Sequence, residues 1–144
     1  MADIKWSVFP SQAGLVTGDT LVGIHAGANT QFTGLFIIKW SGVSGTTQAA
    51  AVNSGYVIQN AAQTTVTLPV TAALGSVISI RGLGAAGWIL AAGVGQTIKV
   101  DGQTTTSGGT LTSAGQYDSI DVTCVVANTT WIASSVVSTG LTFA

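Results

Sequence analysis

The sequence predicts an all-β fold, an antiparallel β-sandwich or jelly roll, on three observations. No segment keeps apolar residues at helical spacing over three turns, whereas β-branched residues are frequent. Apolar and polar residues alternate in several short runs, as they do along strands with one buried face. The 19 glycines, with other turn-forming residues, separate these runs. Short strands divided by regular turns are typical of sandwiches and jelly rolls.

The alternating runs give the predicted strands, which are residues 64–68, 76–81, 96–100, 119–126 and 129–136. In the fourth, Ile120, Val122, Cys124 and Val126 share one face and are predicted to be buried. The pair Ala127-Asn128 is predicted to close a hairpin between the last two strands, because Asn tolerates a positive φ.

The amino-acid composition of the chain changes near residue 50. Aromatic residues are concentrated before Ser41, and residues 41–52 consist mostly of Ser, Gly, Thr, Gln and Ala, as in a linker. A chain of 144 residues holds one substantial core. We therefore predict an N-terminal arm and linker over residues 1–52 and a β domain over residues 53–144.

Charged residues make up only 6% of the chain, against about a quarter in a typical soluble domain. All five acids are Asp, and the net charge is −1, so no electrostatic attraction to nucleic acid or to an anionic membrane is expected. The longest apolar stretch, residues 83–94, is too short to span a bilayer as a helix. Together with 47% hydrophobic residues, the low charge predicts burial of further surface in an obligate oligomer.

Motifs that would support catalysis are weak. Residues 82–87 spell G-x-G-x-x-G, but only five residues separate them from Gly93, so we interpret them as a tight hairpin or a bulge rather than a dinucleotide site. The odd spacing of Asp118 and Asp121 directs them to opposite faces of a strand. His25 lacks the context of a catalytic triad, and the lone Cys124 is predicted to be buried.

We therefore predict a protein that is not an enzyme, with no catalytic residue, cofactor or bound metal. The sequence leaves open whether subunits of an oligomer share an ion on their symmetry axis. The indoles of Trp6, Trp40, Trp88 and Trp131 are able to stack on sugars, although core or interface packing is their more frequent role. A free lectin-like carbohydrate-binding module is accordingly a competing hypothesis.

Three runs stand out in the opening of the chain, 5–10 (KWSVFP), 18–24 (GDTLVGI) and 27–33 (GANTQFT). Together they resemble the N-terminal segments of tailed-bacteriophage fibre proteins. In that family this end attaches the protein to the virion. The resemblance implies virion-attachment roles for the matching residues, which are Trp6, Phe9, Pro10, Asp19, Gly27, Asn29 and Phe32.

Much of the remaining chain is similar to a small β domain at the ends of phage fibres and related virion surface proteins. This likeness includes residues 55–57 (GYV), 84–88 (GAAGW), 116–119 (QYDS) and 124–131 (CVVANTTW). It implies a homotrimer on the virion, assembled in the bacterial cytoplasm, with other virion proteins and a host-surface glycan as partners. The expected role is a short head or tail fibre. The lack of a long shaft between the two parts keeps a capsid decoration protein as the alternative.

Overall fold

The structure is a computed structural model that describes residues 38–144 and two earlier strands, β1 (Leu21–His25) and β2 (Ala28–Phe32). These two strands pair antiparallel, with Leu21 opposite Phe32 and His25 opposite Ala28. They belong to a unit formed by residues 1–36, and residues 37–144 form a second compact unit.

The second unit contains two β-sheets. The strands of the seven-stranded sheet are, in chain order, β3 (Lys39–Val43), β5 (Ser54–Ile58), β7 (Val77–Gly82), β9 (Thr97–Val100), β10 (Gln103–Thr104), β12 (Ser119–Val126) and β13 (Thr130–Val137). Those of the five-stranded sheet are β4 (Thr47–Ala49), β6 (Thr64–Thr67), β8 (Trp88–Ala91), β11 (Thr110–Ser113) and β14 (Leu141–Phe143). The predicted all-β class is confirmed.

The predicted antiparallel arrangement is wrong for much of the domain, because both sheets are mixed. The strand orders are β10-β9-β13-β12-β7-β5-β3 and β14-β11-β8-β6-β4. The neighbours β3–β5, β5–β7, β4–β6, β6–β8 and β9–β13 run parallel. The central pairs β7–β12 and β12–β13 are antiparallel.

Four of the five parallel pairs, all except β9–β13, follow from the path of the chain between the sheets. From β3 to β9, each successive strand lies in the sheet opposite to the one before it. When the chain passes through one strand of the other sheet and then returns, the new strand runs in the same direction as the previous strand of its own sheet. Parallel neighbours therefore arise here without the connecting helices that parallel strands usually require.

The core lies between the two sheets. Its largest fully buried side chains include Ile78, Ile80, Ile98, Ile120 and Trp131 from the seven-stranded sheet, and Val66, Trp88, Leu90 and Leu111 from the five-stranded sheet. The predicted buried face of β12 is confirmed for Ile120, Val122 and Cys124. It is wrong for Val126, which is 54% exposed because β12 ends there in the turn to β13.

The predicted boundary near residue 53 differs from the observed structure. The segment taken as a linker, residues 41–52, contains most of β3 and all of β4. Both strands are paired, β3 with β5 and β4 with β6, and Val43 is buried. The composition of these Ser- and Thr-rich residues does not indicate strands. They form strands because they pair along the edges of the sheets.

The turn predictions had mixed outcomes. The hairpin between β12 and β13 is confirmed, and Asn128 has a φ of 64°. The hairpin interpretation of residues 82–87 is wrong, because β7 and β8 lie in different sheets and the segment connects the two. Trp88 then begins a strand.

Candidate functional site

The acidic residues of the β domain do not converge. No group of three or more His, Cys, Asp or Glu residues that could hold a metal ion occurs in the part of the chain that the structure describes. Across the same residues, no helix is long and apolar enough to cross a membrane.

Asp118 holds neighbouring loops together. Its Oδ2 atom accepts hydrogen bonds from the backbone N–H of Ala114 at 2.7 Å and of Gly115 at 3.2 Å, and from the Ser138 hydroxyl at 2.7 Å. The residue is only 5% exposed. This carboxylate is committed to the connections before β12 and after β13, which is a structural role.

The tryptophans have different environments. Trp88 and Trp131 are completely buried, so their indoles pack in the core and are not accessible to a ligand. Trp40 lies on β3, at the edge of the seven-stranded sheet, and is 46% exposed. Within the described residues, Trp40 is therefore the tryptophan with surface available for binding.

Trp40 lies across a glycine on the face of the sheet that points away from the core. In the strand register, Trp40 is opposite Gly55, Gly55 is opposite Ser79, and Ser79 is opposite Asp121. A Cβ atom placed on Gly55 would lie 2.5 Å from Cδ2 and from Cε3 of Trp40, which is closer than side chains tolerate. The missing side chain at position 55 thus lets the indole lie close to the sheet.

A charged pair borders the indole. The Arg81 guanidinium carbon lies 5.4 Å from the centroid of the Trp40 ring, within range of a cation–π interaction. Arg81 also forms a two-pronged ion pair with Asp121, with Nη1 to Oδ1 at 2.8 Å and Nη2 to Oδ2 at 3.1 Å. Two parallel hydrogen bonds of this kind fix the orientation of a guanidinium.

Asp121 remains ionised in this setting. Partial burial raises the pKa of its carboxyl group, but hydrogen bonds from Arg81 and Ser79 and the positive charge of Arg81 together outweigh that effect. The net pKa lies below the ordinary value of 3.8. The pair is thus formed at neutral pH, and its two charges compensate one another.

A second close approach places an amide over β3, two residues along the strand from the indole. A Cβ atom on Gly42, two residues along β3 from Trp40, would lie 2.7 Å from Oε1 of Gln59. The Gln59 side chain therefore lies over Gly42, and Gln59 is exposed. We define the Trp40 shelf as Trp40, Gln59, Arg81 and Asp121. It combines an exposed aromatic ring with hydrogen-bonding groups.

A different surface is formed by three connections, residues 68–76, 92–96 and 127–129, together with Val126 at the end of β12, and we call it the apolar end. Asn128 joins two of them, since its N–H donates to Ala72 O at 3.0 Å and its Oδ1 accepts from Ala72 N–H at 2.8 Å. Gln96 joins the third, with Nε2 donating to Pro69 O at 2.8 Å. The exposed aliphatic residues here are Val70 (81%), Leu74 (73%), Val94 (102%) and Val126 (54%). None of the three connections contains a charged residue.

An open groove of about 610 Å³ lies beside β13 and β14. Its lining combines apolar side chains such as Ala133 and Phe143 with hydroxyls such as Ser134. Asp101 is the one charged residue lining it in the described part of the chain. The groove thus offers no pair of groups for acid–base catalysis.

The residues predicted from the resemblance lie mainly outside the described residues. These are Trp6, Phe9, Pro10, Asp19 and Gly27. Asn29 and Phe32 belong to β2, where Asn29 pairs with Ile24 and Phe32 with Leu21. Their attachment role stays a prediction.

The sequence could not single out the Trp40 shelf. Arg81 and Asp121 are 40 residues apart and meet because β7 pairs with β12. Trp40 was one of four tryptophans, and its position next to Ser41 and Gly42 was the only local sign of a polar strand face.

No protein-family model matches the chain, and no curated protein matches it.

Proposed function

We propose that this protein is a structural component of a bacteriophage virion, a short homotrimeric fibre of the head or tail. The N-terminal residues that resemble fibre proteins attach it to the particle, and the β domain projects from the surface. The observation that carries the proposal is the apolar end, where four exposed aliphatic side chains, three on connections and Val126 at the end of β12, lie on a surface whose segments contain no charged residue.

We propose that the apolar end of one chain packs against the apolar end of further copies of the same chain. Large exposed apolar patches are characteristic of surfaces that bind other proteins. An uncharged surface is compatible with itself, since copies brought together there have no like charges to repel and no ions to desolvate. The low charge of the entire chain supports the same mode of assembly.

The chemistry of the domain also supports an assembly role. The best-buried carboxylate, Asp118, is engaged by two backbone N–H groups and by Ser138. Asp121 is paired with Arg81. Among the described residues, no His, Cys or second carboxylate is a hydrogen-bond partner of either carboxylate, whereas acyl or glycosyl transfer requires such a pairing.

A capsid decoration protein is the second candidate. The fibre-like opening and the β domain follow one another without a long shaft, and β3 begins at Lys39. A protein without such a shaft between these two parts is suited to lie close to the particle surface.

Light scattering on the full chain tests self-association. We expect a mass three times that of the 14.4 kDa chain. The double variant Leu74→Lys with Val94→Lys should shift the mass to that of a monomer, because it places two charges at the apolar end. Leu83→Lys, which alters a residue 49% exposed on the connection between β7 and β8, serves as the control and should keep the oligomer. A monomeric parent chain would contradict the trimer.

Gold-antibody labelling of intact phage particles tests the virion assignment. Label over the capsid supports a head-fibre or decoration role, and label at the tail supports a tail fibre. Particles without label, made in cells that express the protein, would overturn the assignment.

A further inference from the structure

We propose that the Trp40 shelf is a binding site for an uncharged pyranose sugar. Sugars present a flat face of C–H groups bordered by hydroxyls, so their sites combine an aromatic ring with hydrogen-bonding groups around it. Trp40 supplies the ring, the Arg81 guanidinium lies 5.4 Å from the ring centroid, Asp121 is bound to Arg81, and Gln59 lies over Gly42 on the strand of Trp40. The inference depends on the proposed function only for its biological setting, a host-surface glycan.

The first support is that the indole is held in place before any ligand arrives. Gly55 allows the ring to lie close to the sheet, and the guanidinium of Arg81 lies 5.4 Å from its centroid. Arg81 is in turn oriented by its two hydrogen bonds to Asp121. A ring fixed in this way loses little conformational freedom on binding, which favours affinity.

The second support is that the ring stays partly exposed despite these contacts. Trp40 is 46% exposed, and the Arg81 side chain is 41% exposed. The structure thus leaves aromatic surface accessible next to donors and acceptors. Amphipathic rings of this type are well suited to partners that have both apolar and polar surface.

The charge of the shelf determines the class of sugar. Asp121 occupies both terminal nitrogens of Arg81, so the guanidinium is already neutralised by a carboxylate. An acidic sugar would have to compete with Asp121 for Arg81, and it would lie near the charge of Asp121. A neutral hexose meets no such penalty, because its hydroxyls can accept from Arg81 and donate to Asp121 or Gln59.

The surroundings favour a sugar over a second protein chain. On the outer face, the register positions beside and across from Trp40 are occupied by small or polar residues, namely Gly42, Gly55 and Ser79, and the half-buried Val57 lies diagonally from it. The three most exposed aliphatic residues in the described part of the chain, Val70, Leu74 and Val94, are instead on the apolar end. Protein interfaces place anchoring aromatics within an apolar core, whereas the described neighbours of Trp40 on its sheet face are mostly small or polar.

The test is binding of methyl β-D-glucopyranoside, methyl β-D-galactopyranoside and their neutral oligosaccharides, first on a glycan array and then by saturation-transfer NMR with the full chain. Trp40→Ala should weaken binding by about tenfold, from loss of the aromatic contact. Gly55→Ala should weaken it similarly while leaving the indole present, because the added Cβ displaces the ring. Gly45→Ala is the matched control, since its Cβ would meet only Thr47 O at 3.8 Å.

The results separate the alternatives. No binding to any neutral sugar, or binding that Trp40→Ala and Gly55→Ala leave unchanged, would overturn the proposal. A monomer produced by Trp40→Ala, measured by light scattering, would also overturn it and would make Trp40 a subunit contact. Sugar binding by the purified chain does not require a virion, so its outcome is distinct from that of the particle labelling.

Discussion

Trp88 and Trp131 provide a matched pair for testing how the core is stabilised. Both are completely buried, one in each sheet. The Nε1–H of Trp88 donates to the Asp118 carbonyl at 2.9 Å. The Nε1 of Trp131 has no hydrogen-bond partner among the residues that the structure describes. Trp88→Phe and Trp131→Phe should therefore have different effects on the free energy of unfolding.

The difference can be worked from these contacts. Both substitutions replace an indole by a smaller ring, so the cost of the void is similar and cancels in the comparison. Trp88→Phe also loses one hydrogen bond, worth about 1 kcal/mol. The Asp118 carbonyl keeps the bond from Gly82 N–H at 2.9 Å, so no further penalty arises there. Trp131→Phe removes an unpaired buried N–H, whose burial costs about 1–3 kcal/mol. Trp88→Phe should thus be less stable than Trp131→Phe by about 2–4 kcal/mol.

The assay is urea unfolding of each variant and the parent, followed by far-ultraviolet circular dichroism because the substitutions change tryptophan fluorescence. Thermal midpoints should show the same order, at about 3–5 °C per kcal/mol for a chain of this size. Equal losses in the two variants, or a larger loss in Trp131→Phe, would refute the assignment of these hydrogen bonds.

Two further predictions concern a surface ion pair and a glycine. The lowered pKa of Asp121 means that its stabilising effect is present above the ordinary value of 3.8 and is lost as the pH falls through the folded-state pKa. Because the Arg81 side chain is 41% exposed, we expect Asp121→Asn to lower the free energy of unfolding by less than about 1 kcal/mol at pH 7. The variant should also lose less stability than the parent as the pH falls below 3.8. An equal loss in the two proteins would contradict this. At Gly84 an added Cβ would overlap the backbone carbonyl of Asn60, so Gly84→Ala should cost about 3 kcal/mol or more. Gly115→Ala, which meets no atom within 4 Å, should be nearly neutral in the same urea titration, and equal stabilities of the two variants would argue against the close approach.

The parts of the fold that the sequence predicted well are those determined by local pattern. The run from Ser119 to Val126 alternates clearly and was predicted at its observed bounds. The hairpin at Asn128 was predicted because side-chain chemistry favours a positive φ there. By contrast, β4 was missed, since its three residues, TQA, have no alternating apolar pattern and become a strand by pairing with β6.

The candidate site was predictable only in its residue type. The sequence indicated that tryptophan was available for stacking, but it did not distinguish exposed Trp40 from buried Trp88 and Trp131. Burial depends on which strand face meets the opposite sheet, which is a property of distant pairings. The contact of Arg81 with Asp121 likewise depends on the register of β7 and β12.

The sequence by itself determined the all-β class, the low charge and the scarcity of groups for acid–base chemistry, because these follow from composition and from side-chain patterns within a few residues. The tertiary structure decided the parallel pairings, the exposure of Trp40 and the grouping of uncharged connections at the apolar end. Each of these results from the chain crossing between two sheets, which brings together residues far apart in sequence. Local patterns specify that a segment forms a strand, whereas long-range packing specifies its sheet, its direction and its neighbours.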